Sequence, residues 1–258
     1  MLPANWPKLL TFSLWIAAHV PLVGLVIVLC KRRLYKEFPC FFVYAFYEIA
    51  SFILLMVMGW AHSVTGEQYA YAYYATLMLS VILRFGVIGE IAKDLFRESP
   101  LLKLTARRVL FGVQGLLLVI GILLAVYAPG DNSIRWIAGV SVINRGAAMI
   151  QSGLLFSLLL FSRFLGVSWH RHAFGIALGL GILTSVDVAI YALRAQLASN
   201  SLVPYLDLLR TGTYVVCILT WIGYLLLPEL EPGPLTVVSS EEVETWSTEL
   251  QHMLRPRQ

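Results

Sequence analysis

Long apolar stretches separated by short polar segments fill the sequence as far as residue 227. A helix needs about 20 mostly apolar residues to cross the roughly 30 Å hydrocarbon layer of a bilayer, so stretches of this length predict membrane spans. The pattern therefore predicts an all-α, polytopic membrane protein whose residues 1–227 form a seven-transmembrane-helix bundle. Spans 1 to 7 run from Leu9 to Cys30, Phe41 to Ala61, Tyr71 to Ala92, Val109 to Ala128, Trp136 to Ser162, Phe174 to Leu193 and Leu202 to Leu227.

The basic residues between the spans predict how the bundle is oriented. Lys and Arg near the ends of spans are retained on the cytoplasmic side of a membrane. Basic residues are concentrated after spans 1, 3 and 5 and in the tail, whereas the other side carries Lys8, Arg135 and Arg194. We therefore expect the N-terminus outside, the C-terminus in the cytoplasm, and the cell membrane as the location.

The composition supports this class of protein and argues against others. Apolar residues make up 59% of the 258 residues and charged residues 13%, whereas soluble domains have about 45–50% and about 25%. Three cysteines are too few for a disulfide scaffold, and a net charge of +4 is too small for a dedicated nucleic-acid binder. No catalytic motif or metal-ligand cluster is visible, so we expect no enzyme activity, no cofactor and no metal.

The chain becomes polar after span 7, and residues 228–258 are predicted to form a cytoplasmic tail with a proline-rich linker. Ser239 and Glu242 have the spacing of a capping box, and apolar residues follow them at helical spacing. This pattern predicts a short amphipathic helix. Its face with Trp246 and Leu250 either docks under the bundle or binds a cytoplasmic partner protein.

Ionisable residues within the spans or at their edges are the candidate functional residues, because a centred charge costs roughly 2.5–3.5 kcal/mol. Four acids and four bases are present, and equal numbers predict pairing. They are Glu48, Glu90, Asp187, Asp207, Arg84, Arg145, Arg194 and Arg210.

Counting from the span ends sorts these residues into two groups by depth. One group lies in spans 5 to 7 at mid-membrane or further out, with tyrosines on the same helix faces. It contains Arg145, Asp187, Tyr191, Asp207, Arg210 and Tyr214. An inner cluster on spans 2 and 3 contains Glu48, Arg84 and Glu90.

Two hypotheses explain the outer group. The charges are either interhelical pairs that fix the bundle, or the lining of an outward-opening pocket for a small polar or anionic ligand. In the second case Arg145 and Arg210 are the expected anion partners.

Two further features concern packing. Gly175 and Gly179 form a G-x-x-x-G at the start of span 6, which favours close helix contact inside the bundle, with a homodimer contact as the alternative. His19 lies beside Pro21 in span 1, and we expect a satisfied interior residue rather than a ligand.

Three segments of the sequence look familiar. They are Arg-Phe-Gly-Val-Ile-Gly-Glu-Ile at 84–91, Ser-Trp-His-Arg-His-Ala-Phe-Gly-Ile-Ala-Leu-Gly at 168–179, and Trp-Ile-Gly-Tyr-Leu-Leu-Leu-Pro-Glu ending at 229. They resemble an uncharacterised group of bacterial seven-helix integral membrane proteins. The resemblance implies the architecture of a multi-pass protein of the bacterial inner membrane, and no activity, ligand or catalytic residue.

The sequence thus favours a sensor or a membrane component that recruits a cytoplasmic partner. The alternative is a small-solute or ion transporter that uses the polar cluster of spans 5 to 7. The expected partners are the lipid bilayer, a cytoplasmic protein bound by the tail and a small polar or anionic ligand, and no nucleic acid.

Overall fold

A computed structural model describes residues 6–61, 63–97, 132–164, 169–196 and 202–228, with a few isolated positions between 108 and 123. These residues form six α-helices and one short 3-10 helix, and no strand is found among them. Helices α1 to α3 correspond to spans 1 to 3, and α4 to α6 to spans 5 to 7. They are α1 (Trp6–Lys31), α2 (Pro39–Trp60), α3 (Gly66–Leu95), α4 (Asn132–Phe164), α5 (Arg171–Gln196) and α6 (Val203–Leu226), with the 3-10 helix at Leu34–Lys36.

Five of these helices, α2 to α6, are long and apolar enough to cross a membrane, and α1 contributes a shorter apolar stretch, Ile16–Lys31. Large apolar side chains on their outer faces are widely exposed, such as Val57 at 62% and Phe156 at 63%. Exposed apolar surface of this extent is typical of a surface that faces lipid. The prediction of an all-helical fold is confirmed for the described residues, and five helices that could span a membrane support a membrane protein, whereas the number of seven spans and the orientation stay predictions. Span 4 as a whole and the tail after residue 228 lie outside the described residues.

The six helices form a closed ring that follows the order of the chain. Each helix packs against the helices before and after it, α1 also packs against α6, and α3 touches α5 across the ring. At one end of this helical ring, Arg32 donates a hydrogen bond of 3.3 Å to the carbonyl oxygen of Leu227. We call this the Leu227 end. At the opposite end, where α5 leads to α6, Arg194 pairs with Asp207, and we call it the Asp207 end.

Two glycines bring α5 and α6 into close contact in the Leu227 half of the ring. A Cβ atom on Gly175 would lie 2.3 Å from Cβ of Tyr224, and a Cβ atom on Gly179 would lie 2.2 Å from Nε1 of Trp221. The indole N–H of Trp221 donates to the carbonyl oxygen of Ile176 over 3.2 Å. The G-x-x-x-G motif therefore packs inside the bundle, as the sequence favoured.

Large buried side chains fill the same half of the ring. Trp221 is fully buried, and the ring of Phe41 meets it edge-on at a centroid distance of 5.2 Å. The ring of Tyr44 lies 6.3 Å from Trp221 on the side towards the Asp207 end. Side chains of α1, α3, α5 and α6 complete this packing, which we call the apolar layer. It comprises Leu25, Phe41, Tyr44, Ile88, Ile176, Ile218 and Trp221.

Candidate functional site

A cavity of about 330 Å³ lies inside the helical ring, between the middle of the helices and the Asp207 end. Side chains of α1, α2, α3, α5 and α6 line it, and among the described residues α4 contributes none. Its size falls at the lower end of the range for small-molecule sites, about 300–1,000 Å³. Five charged residues belong to the lining, namely Glu48, Arg84, Asp187, Asp207 and Arg210.

Polar residues reach the cavity because they recur at helical spacing within otherwise apolar helices. On α3, Tyr73, Thr76, Ser80 and Arg84 follow one another by three or four residues, so they share one face. Polar groups are costly against lipid, so this face turns inwards. The helices α2 and α6 have similar polar faces, and the cavity lies where these faces meet.

Asp187 is the centre of the charged lining. Its Oδ1 accepts a hydrogen bond of 2.8 Å from Nε of Arg210, and its Oδ2 lies 3.5 Å from Nη1 of Arg84. The side chains of Asp187 and Arg84 are only 4% and 6% exposed. Two arginines therefore share one buried carboxylate, which leaves a surplus positive charge beside it. Breaking such a buried arrangement by removing one partner is strongly destabilising.

Glu48 approaches the same cavity from α2. Its Oε1 accepts a hydrogen bond of 2.5 Å from the hydroxyl of Ser80. Within the described parts of the chain, no ion pair of 4 Å or less involves this carboxylate. The sequence placed Glu48 and Arg84 in an inner cluster apart from Asp187 and Arg210, whereas the structure brings all four residues to one cavity.

Glu90, the third member of that predicted inner cluster, lies elsewhere. Its two carboxylate oxygens accept hydrogen bonds from the backbone N–H groups of Cys40 and Phe41, at 3.1 and 3.0 Å. These groups belong to the first turn of α2, where backbone donors have no partner within the helix and a negative charge is favourable. Glu90 thus caps α2 near the Leu227 end and does not line the cavity.

Arg145 and Tyr191 also lie outside the cavity lining. Arg145 is exposed on α4, and its guanidinium carbon is 5.8 Å from the centre of the Tyr191 ring, within the range of a cation–π contact. The side chain of Asn144 donates to the hydroxyl of Tyr191. The expected role of Arg145 as an anion partner in the pocket is not supported, because α4 packs beside α5 and none of its described side chains lines the cavity.

Exposure increases along the charged lining towards the Asp207 end. Asp187 is 4% exposed at its side chain and Arg210 is 33% exposed. Arg194 and Asp207, which pair with each other, reach 32% and 43%. Among the charged lining residues, Asp187 and Arg84 are thus the most buried and Asp207 is the most exposed, so we assign the floor of the cavity to the first two and its mouth to the Asp207 end.

Two buried donors at the cavity have no hydrogen-bond partner among the described residues, namely Nε of Arg84 and the hydroxyl of Tyr214. Tyr214 and Arg210 line the cavity as the sequence proposed, and Asp207 does so at the mouth. The candidate partner-binding residues of the tail, Trp246 and Leu250, lie outside the described residues.

Several lining residues are not among the candidates that the sequence pattern indicates. Ser80, Tyr44 and Tyr73 line the cavity, and so does His19, whose ring stacks on Phe52 at 3.7 Å between centroids. The signal that finds them is a polar stripe at helical spacing, such as the one that joins Tyr73, Ser80 and Arg84.

The chemistry available at the site is that of polar recognition. Among the described residues, no three His, Cys, Asp or Glu side chains are placed together as metal ligands. Buried arginine, carboxylate, hydroxyl and phenol groups instead face a space of small-molecule size. No protein-family model matches the chain, and neither a curated protein nor a solved structure is significantly similar to it.

Proposed function

We propose that this protein is a seven-span sensor of the cell membrane, of the bacterial inner-membrane type, that binds a small polar solute from outside. Binding would be passed to a cytoplasmic partner through the tail. Five helices that could cross a membrane support the membrane location. The basic residues at the helix ends support the orientation, because they gather at the Leu227 end and the positive-inside rule assigns that end to the cytoplasm. They include Lys31, Arg32, Arg33, Lys36, Lys93, Arg97, Arg163 and Arg171.

The observation that carries the proposal is the one-sided position of the cavity. Its mouth lies at the Asp207 end, and the apolar layer around Trp221 and Phe41 fills the helical ring on the other side. A site of this form binds a solute from one side without offering it a way through the described part of the bundle. That property suits a sensor better than a channel.

The buried charges favour a polar occupant. Arg84 and Asp187 are almost completely withdrawn from the surface, yet both line an open space of about 330 Å³. Buried charges within a membrane are costly and commonly mark sites for ligands or ions. A purely structural pair would not need such a space beside it.

The alternative is a transporter, and one observation favours it. Asp187 lies near the middle of α5, and transporters bind their substrates near the midplane of the bilayer. Transport would require the apolar layer to open towards the Leu227 end. Saturable uptake of a bound solute into proteoliposomes by the unaltered protein would support the transporter and contradict the sensor.

Labelling of single cysteines tests the one-sided cavity without knowledge of the solute. The three native cysteines, all free, are first replaced, and Thr211→Cys is introduced into the lining of α6. Leu209→Cys is the matched control, because Leu209 lies two residues away and is 52% exposed on the outer face. We expect a membrane-impermeant thiol reagent added from outside to modify Cys at 211 and to leave Cys at 209 unmodified, because a thiol that faces lipid does not ionise.

Modification at position 211 only from the cytoplasmic side would contradict the proposed orientation. Absence of modification from both sides would contradict an open cavity.

A further inference from the structure

The charges around the cavity are balanced in number but unevenly paired. Of the five charged lining residues, Asp207 pairs with Arg194. The other four are Glu48 and Asp187, with two negative charges, and Arg84 and Arg210, with two positive charges. Asp187 is engaged by both arginines, at 3.5 and 2.8 Å, so the surplus positive charge lies on this side of the cavity. The surplus negative charge lies at Glu48, which has the hydroxyl of Ser80 as its hydrogen-bond donor. The cavity is therefore neutral as a whole and bipolar within.

The positive side of the cavity has donors to spare. Nε of Arg84 and the hydroxyl of Tyr214 are buried and have no hydrogen-bond partner among the described residues. Buried donors are normally satisfied, and leaving them unmatched is unfavourable. A carboxylate can accept from both, because each of its oxygens has two acceptor sites, and it would neutralise the surplus positive charge.

Glu48 forms no ion pair of 4 Å or less among the described residues, although Arg84 and Arg210 lie within electrostatic range of it. A carboxylate such as Glu48 can accept hydrogen bonds at both oxygens, and Ser80 engages only Oε1. An ammonium group supplies both donors and the missing charge. Ser80 and Arg84 are one helical turn apart on α3, where Cβ atoms are about 5–6 Å apart, so the two sides are close neighbours.

We infer that the solute is a compact zwitterion of the amino-acid type, with its carboxylate bound by Arg84 and Tyr214 and its ammonium group bound by Glu48. This inference rests on the proposed function, because it requires a cavity that admits a solute. A simple anion would leave the charge of Glu48 unpaired, and a simple cation would leave the arginine side unpaired. A neutral molecule with both charges matches both sides.

The test measures binding to the full chain in lipid nanodiscs, through the rise in its melting temperature with solute concentration. The panel contains the twenty common amino acids, β-alanine and glycine betaine, each compared with its deaminated acid and its decarboxylated amine. For alanine, these analogues are propionate and ethylamine. We expect at least one zwitterion to bind saturably, and removal of either charged group to weaken binding about 10- to 150-fold, the range for hydrogen bonds to charged groups.

Two variants assign the two ends of the solute. Tyr214→Phe should weaken binding of the zwitterion and of its deaminated acid about 2- to 12-fold, and should leave the amine unaffected. Glu48→Gln should remove the preference for the zwitterion over the deaminated acid. Tyr71→Phe is the control, because Tyr71 is exposed on α3 outside the cavity lining, and it should bind all three compounds like the unaltered protein.

The outcomes separate this inference from the proposed function. If deaminated acids bind as tightly as the zwitterions, the inference is wrong and the one-sided cavity stands. If no compound of the panel binds although Cys at 211 is modified from outside, the inference is again wrong while the open cavity is retained. Both proposals fall only if position 211 is not accessible from outside.

Discussion

Gly179→Ala gives a sharp test of the contact between α5 and α6. The added Cβ atom would lie 2.2 Å from Nε1 of Trp221. Favourable contacts between heavy atoms begin near 3.5 Å, so the methyl group and the indole have to separate by about 1.3 Å, given the present 2.2 Å. Trp221 is fully buried against Phe41, so it has little room to retreat.

The expected magnitude follows from three contributions. Overfilling a packed interior costs about 1–3 kcal/mol. Displacement of the indole also weakens its hydrogen bond to Ile176, which contributes about 1 kcal/mol. Replacement of glycine by alanine within a helix returns about 1 kcal/mol through helix propensity. We therefore expect Gly179→Ala to lower the free energy of unfolding by about 1–3 kcal/mol.

The assay is equilibrium unfolding of the purified protein in mixed micelles with increasing SDS, followed by circular dichroism. Gly181→Ala is the control, because a Cβ atom at Gly181 meets nothing within 4 Å in the described structure. We expect it to unfold like the unaltered protein or at slightly higher SDS. The reasoning is refuted if Gly181→Ala is as destabilising as Gly179→Ala. It is also refuted if Trp221→Leu, which makes space for the methyl group, fails to reduce the cost of Gly179→Ala in a double-mutant cycle.

Three further predictions concern the charged residues. Asp187→Asn leaves the buried Arg84 and the partly exposed Arg210 without their carboxylate, so the free energy of unfolding should fall by about 3–5 kcal/mol. Adding Arg210→Gln should recover part of the loss. Unchanged unfolding of the single variant in SDS would contradict this. Asp207→Asn breaks a partly exposed pair at the mouth and should lower the free energy of unfolding, measured in the same SDS titration, by less than about 1 kcal/mol. Glu90→Gln removes the charge that faces the first turn of α2 and should cost about 0.5–2 kcal/mol in the same SDS titration, whereas no loss would show that the cap is dispensable.

The helix positions could be predicted from hydropathy with little error. Span 2 was expected from Phe41 to Ala61, and α2 runs from Pro39 to Trp60. Span 6 was expected from Phe174 to Leu193, and α5 extends this by three residues at each end, Arg171–Gln196. The length of an apolar stretch and the charges that bound it are local properties, so they are readable without knowledge of the neighbours.

The residues of the site could be predicted only in part. The sequence indicates how deep each residue lies in the membrane, but it does not indicate which neighbouring helix the residue faces. Depth alone places Arg145 beside Asp187, yet none of the described side chains of α4 lines the cavity. Depth alone places Glu48 in a separate cluster. In the structure the polar faces of α2 and α3 meet, and Glu48 lines the same cavity as Asp187. The rotation of each helix towards its neighbours depends on contacts such as the close approach of Trp221 to Gly179. These contacts form only in the assembled bundle.

The closure of the helical ring has a consequence for the order in which the protein is assembled. The hydrogen bond from Arg32 to the carbonyl of Leu227 joins residues 195 positions apart, and α1 packs directly against α6. Domains form progressively as a chain is synthesised, so α1 has to wait for nearly the whole remaining chain before its last neighbour exists. Its inward face carries Leu22, Leu25 and Leu29, all fully buried at the end of the process. These three leucines are as stable against lipid tails as against protein, since lipid tails are equally apolar. The first helix, α1, can thus stay in the bilayer without unpaired charges before α6 is made. The buried charged residues that need partners lie on helices that are made later.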